Sequence, residues 1–138
     1  MSNKKNVKVF ISSVAGEERI TQEARGELYL REDKVYVRYE ETSAEMGKTL
    51  TMVKIAPGEL KIMRSGEVGA EQTFVPGQSR RGWYRAAGGS LPIDIHTRTY
   101  TRQLVEGIGR IQWSYDLYVE EEHAGLYTLT LTIQEDVT

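Results

Sequence analysis

Ile111-Gln112-Trp113-Ser114-Tyr115-Asp116-Leu117-Tyr118-Val119-Glu120 decides the fold, together with the segment that answers it, Tyr127-Thr128-Leu129-Thr130-Leu131-Thr132-Ile133-Gln134. In the first segment Ile111, Trp113, Tyr115, Leu117 and Val119 fall on one parity and Gln112, Ser114, Asp116, Tyr118 and Glu120 on the other. In the second, Tyr127, Leu129, Leu131 and Ile133 alternate with Thr128, Thr130, Thr132 and Gln134. Successive strand side chains point to opposite faces, so each segment has one face for a core and one for water. The threonines suit the outer face because a branched Cβ fits the pleat. Between the segments, Glu121-Glu122-His123-Ala124-Gly125 reads as the loop of a hairpin.

The same period of two runs outward through the chain. Ile20, Gln22, Ala24, Gly26, Leu28 and Leu30 share a parity, and a polar turn at Glu32-Asp33-Lys34 leads to Val35, Val37 and Tyr39. Shorter strands are predicted over Val7 to Val14, Lys48 to Ile55, Leu60 to Ser65, Gly69 to Val75, Gly82 to Ala86 and Leu91 to Tyr100. Pro57-Gly58, Pro76-Gly77 and Gly88-Gly89 mark turns between them. No sustained helical period occurs, and a single helical turn near Gln103 to Glu106 is the strongest helical candidate. Residues 1–138 read as one domain, with its ordered core from about 7 to 134 and no linker, repeat or low-complexity tract. About eight to ten strands joined by local turns must close on themselves or stack as two sheets to hide their edges. Consecutive hairpins close most simply into an antiparallel up-and-down barrel, and an all-β closed barrel is the expectation.

Composition narrows the function classes. A chain of 138 residues, 39% hydrophobic and 28% charged, is globular rather than disordered. With no cysteine it has neither disulfides nor thiolate chemistry, and no apolar run is long enough to span a bilayer. Cytoplasmic residence and no membrane association are expected. His96 and His123 are the two histidines, too few for a zinc site without cysteine, so no metal and no cofactor are expected. No Gly-x-Ser-x-Gly turn, P-loop or dinucleotide fingerprint is present, and Gly107-Ile108-Gly109 is better read as a bend or bulge. No catalytic residue is assigned.

Charge is uneven along the chain. Ser79 to Arg110 carries six arginines against Asp94 and Glu106, whereas the chain from Ile111 onward has six acids and no lysine or arginine. Either a basic face attracts an anion, or neighbouring strands carry complementary charge that discourages edge pairing. Trp83-Tyr84 beside Arg80, Arg81 and Arg85 resembles a base-stacking, phosphate-gripping pattern, but pI ≈ 5.8 speaks against a nucleic-acid partner. The same arginines could instead serve a protein partner.

The positive signal is a set of polar residues on inward parities. Gln22, Tyr39, Glu41, Arg64, Gln72, Thr97, Thr99 and Tyr115 all continue apolar rows. Buried polar groups cost several kcal/mol unless paired or hydrated, so such residues gather in networks or cavities. Two arrangements are open. In one, a cavity uses Tyr39, Glu41, Arg64, Thr97 and Tyr115 to hold a small anionic or amphipathic ligand, Arg64 meeting its charge. In the other, Glu41 and Arg64 form an internal salt bridge over a filled core. An enzyme with Glu41 as acid or base is a third possibility, with no second catalytic group to support it.

Tyr39-Glu40-Glu41, Arg64-Ser65-Gly66, Phe74-Val75-Pro76-Gly77, Tyr84 followed by Gly88, Thr97, and Gly109-Arg110-Ile111-Gln112-Trp113-Ser114-Tyr115 together resemble the YwiB-like family of bacterial calycin-type, lipocalin-like β-barrels. The resemblance runs from about Val7 to Gln134 and implies a closed calycin-like barrel, but it carries no established activity or ligand. True lipocalins have a Gly-x-Trp motif near the N-terminus, whereas here Gly82-Trp83 is central and lacks the spacer. Ligand carriage is therefore not implied by the architecture alone.

Overall fold

A computed structural model describes residues 4–137. Ten strands follow one another: β1 (Lys4–Ala15), β2 (Glu18–Arg31), β3 (Lys34–Glu40), β4 (Thr49–Ala56), β5 (Glu59–Gly66), β6 (Gly69–Phe74), β7 (Ser79–Ala86), β8 (Gly89–Val105), β9 (Ile108–Val119) and β10 (Glu122–Glu135). Each pairs antiparallel with its neighbours in sequence, and β1 pairs with β10, so the sheet closes as a barrel without a free edge. The meander follows from the turns: every connection is short except β3 to β4, which holds a 3₁₀ turn at Ala44–Met46. Serine 43 caps that turn, its Oγ accepting from the Glu45 N–H at 3.3 Å.

The expected parities fill the interior. Leu28, Val37, Ile111, Trp113 and Leu131 are buried on the rows assigned to the core, and Val9, Ile55, Leu60, Phe74 and Ile95 are buried with them. Outward positions carry Lys8, Arg25, Arg38, Lys54, Glu71 and Gln112. A barrel that spans a membrane wears its apolar band outside, and this one keeps its apolar residues within. No helix among the described residues is long and apolar enough to cross a membrane.

Three local expectations give way. Gln103 to Glu106 does not form a helical turn: β8 runs on to Val105, and the chain reverses through Glu106 and Gly107, both at positive φ (52° and 83°). The 121–125 loop contracts to a turn at Glu120-Glu121, φ 52° and 69°, and the strand resumes at once with a bulge between His123 and Gly125. Positive φ at both central residues is what a two-residue hairpin with right-handed twist requires. A further bulge between Thr97 and Thr99 resets the phase of β8. Thr99 therefore points outward, bonded to Ser114 at 2.6 Å, and Tyr100 turns inward in its place.

The two ends of the barrel differ. At the end holding the Pro57-Gly58 and Pro76-Gly77 turns, the Tyr100 hydroxyl donates to the Ala56 carbonyl at 2.9 Å. Strands β8 and β4 are not neighbours, so this bond crosses the interior and closes that end. Half-buried apolar side chains occur at both ends: Leu30, Leu104 and Ile108 at this one, and the larger set of Ile11, Tyr84, Leu117, Val119, Tyr127 and Leu129 at the other, where Leu91 is 39% exposed. The Tyr100 bond makes the first end the floor of a cup and the larger apolar rim its mouth.

Candidate functional site

Glu41 lies one residue beyond β3, but its N–H donates to the Thr49 carbonyl at 2.8 Å and extends the ladder. That bond keeps Glu41 on the inward parity of Tyr39. Across β4, Tyr39 pairs with Thr51 and Thr51 with Arg64, so the register of two hairpins brings the carboxylate and the guanidinium together near the mouth. Oε1 of Glu41 accepts from Gln22 Nε2 at 3.1 Å, and Oε2 accepts from the Thr51 hydroxyl. Arg64 Nε stands 3.6 Å from Oε2, close enough to balance charge but too far for a hydrogen bond, while Nη1 donates to Gln72 Oε1 at 3.2 Å. The Glu41 side chain is 1% exposed and that of Arg64 18%.

All five residues expected to form a site are on the interior. Tyr39, Glu41, Thr97 and Tyr115 are buried, and Thr97 faces Tyr115 across the β8–β9 ladder. Burial, reinforced by the Glu41 carboxylate, pushes the Tyr39 phenol far above its ordinary value. Burial likewise pushes Tyr115 up to about 12, with Arg64 pulling the other way. Both rings thus present neutral hydroxyls. Phe74 packs between two aromatics, 4.9 Å from Tyr115 and 5.9 Å from Trp113, and Tyr115 stacks on Tyr127 at 5.5 Å.

Among the described residues, four buried polar atoms on this interior have no hydrogen-bond partner: Gln22 Oε1, Arg64 Nε, Thr97 Oγ1 and Trp113 Nε1. Each such atom costs about 1–3 kcal/mol of lost hydration. Glu41 is the opposite case, with two hydrogen bonds and an ion pair on one carboxylate, which holds it in place rather than freeing it for proton transfer. The parity of Thr51 with Val53 and Ile55 was readable, and Thr51 belongs with the site. That the indole N–H of Trp113 lacks a partner had no sequence signal.

The chain belongs to a family of unknown function. Its model, DUF1934, matches residues 6–131. The chain is 35% identical over 129 residues to the uncharacterized β-barrel protein YwiB of Bacillus subtilis (strain 168), covering 94% of this chain and 90% of that relative. The crystal structure of the Bacillus subtilis ywiB protein matches with a TM-score of 0.86 and 31% identity, over 97% of this chain and 94% of that one. Family and barrel are therefore shared, and the relative's description names no ligand.

On the outer surface part of the uneven charge is paired between strands. Arg81 grips Asp94 through two bonds of 3.0 Å, and Arg85 donates to the Gly66 carbonyl at 3.1 Å. Trp83 Nε1 donates to Glu71, which also pairs with Lys61. Asp116 is held by Arg98 at 2.7 and 3.2 Å, and the bulge in β10 brings His123 Nε2 within 2.8 Å of it. His123 is thus an outer-face partner of Asp116 whose side chain is still half exposed. His96, on the neighbouring strand, bonds Ser79 at 3.0 Å, not Asp94.

Arg98 first and His123 second hold the Asp116 carboxyl below the usual carboxylate range. A folded-state value below the unfolded one stabilises the fold above the ordinary carboxylate value of about 3.9. That contribution drains away as pH falls from there through the depressed value. Asp116→Asn should therefore flatten the loss of stability below about pH 4. Urea midpoints measured from pH 6 to pH 3 on both chains would check this, and parallel acid limbs would refute it.

Proposed function

We propose that the barrel binds a small amphipathic molecule in the cytoplasm without transforming it. Its polar head sits among Tyr39, Glu41, Arg64, Thr97 and Tyr115, and its apolar part among the half-buried side chains of the mouth. The observation that carries this reading is the pairing of unfilled hydrogen-bonding capacity at Arg64, Thr97, Trp113 and Gln22 with an apolar mouth open to water. Ligand pockets have this makeup, mostly apolar with a few placed polar groups. The water-facing exterior supports an aqueous compartment, and the hydrogen bonds and ion pair that fix Glu41 support binding over catalysis.

Trp113 supplies the probe, because it is buried on the interior while Trp83 is 38% exposed on the outside. In a Trp83→Phe chain the remaining emission reports the interior. Titration with ten-carbon amphiphiles, decanamide and decanoate, should shift that emission saturably. At a hundredfold excess over Kd the thermal midpoint should rise by several degrees, since such an excess contributes about 2.7 kcal/mol. Unchanged emission and midpoint with both compounds at millimolar concentration would overturn the reading.

A further inference from the structure

The mouth residues leave the charge of the ligand to be decided, and the Glu41–Arg64 pair decides it. Resting on the binding reading above, we infer that the site selects an uncharged carboxamide-type head and discriminates against carboxylates and phosphates. The buried ionic groups of the mouth are one anion and one cation, Glu41 and Arg64, 3.6 Å apart. Arg64 is matched in charge yet has an Nε–H without a hydrogen bond, because the nearest carboxylate oxygen, Glu41 Oε2, stands 3.6 Å away. What Arg64 lacks is an acceptor atom, not a counter-ion.

A second anion placed at that donor would meet attraction from Arg64 and repulsion from Glu41 that largely offset each other, so the cost of taking its charge out of water is left uncompensated. A neutral carbonyl oxygen meets the donor with no such cost. The neighbouring requirement is complementary: Gln22, also bonded to Glu41, has Oε1 without a donor. An unfilled donor and an unfilled acceptor thus flank one carboxylate. A primary amide offers a carbonyl for the first and an N–H for the second. Thr97 Oγ1 and Trp113 Nε1, further inside, supply more capacity for an acceptor oxygen or a hydroxyl.

The test compares decanamide, methyl decanoate and sodium decanoate on the wild-type chain at neutral pH by isothermal titration calorimetry. The amide should bind roughly tenfold or more tighter than the carboxylate, because the carboxylate's desolvation is not repaid at a site whose charges already balance. The ester, which lacks the N–H, should fall between them. In Glu41→Gln the guanidinium loses its counter-charge, and the order of amide and carboxylate should invert. Carboxylate binding as tight as amide in the wild-type chain would overturn the inference while leaving the binding reading intact. Saturable binding by none of the three would remove both. The wild-type comparison stands whether or not the variant folds.

Discussion

Replacing Arg64 with methionine should lower folding stability by about 3 kcal/mol, and adding Glu41→Gln to that chain should restore most of the loss. The single change strands a carboxylate that is 1% exposed and leaves it neutral hydrogen-bond partners such as Gln22 and Thr51 but no counter-charge. Breaking a buried pair from one side costs about 3–5 kcal/mol, whereas removing both charges is close to neutral. The lower figure applies here because the Arg64 side chain keeps 18% of its exposure and Glu41 keeps its hydrogen bonds. In the double variant the introduced amide donates to Gln22 Oε1, an acceptor that has no partner in the native chain. Urea denaturation of the four chains gives the coupling directly. A loss below 1 kcal/mol in the single variant would mean that water reaches Glu41 freely, and the cup described above would be wrong at its mouth.

The second large effect is expected at Gly109. Gly109→Ala should cost about 3 kcal/mol, whereas Gly58→Ala should stay within about 0.5 kcal/mol of wild type. Gly109 has φ +143°, a region that side-chain-bearing residues rarely enter, and an added Cβ would lie 2.0 Å from the Gln103 carbonyl oxygen. That oxygen belongs to the paired backbone of β8, so it cannot step aside as a flexible side chain would. Gly58 sits in a turn with nothing within 4 Å of an added Cβ. Thermal unfolding of the two variants separates a special position from a permissive one. Equal midpoints would contradict the backbone geometry at the β8–β9 turn.

Much of this was legible in the alternation of residues, because a period of two reports which side of a strand faces the core. That signal placed Tyr39, Glu41, Arg64 and Tyr115 inside before any register was known. It failed where the phase changes within a strand. The bulge beside Arg98 turns Thr99 out, and nothing in Thr97-Arg98-Thr99 marks it, since all three residues are acceptable in either orientation. The bulge at Ala124 escaped notice for the same reason, and with it the reach of His123 to Asp116. Parity offered the Glu41–Arg64 pair as one of two arrangements but could not choose it. Their contact depends on the register of β3 on β4 and of β4 on β5, which the intervening turns determine. The 3₁₀ turn at Ala44–Met46 is too short to leave a periodic trace.

Closure of the sheet has a consequence for biosynthesis. The seam that completes the ring joins Val7 to Glu135 and Val9 to Ile133, partners separated by almost the whole chain. A ribosome makes β1 first and β10 last, so the growing polypeptide exposes two unsatisfied strand margins until the final segment emerges. Pairing so distant in sequence carries a high loop-closure entropy and slows folding. During that interval the nascent protein is most exposed to chaperones and to aggregation. A permuted gene that opens the chain at Pro57-Gly58 and tethers the native termini would make today's seam a local hairpin and hand the long-range closure to β4 and β5.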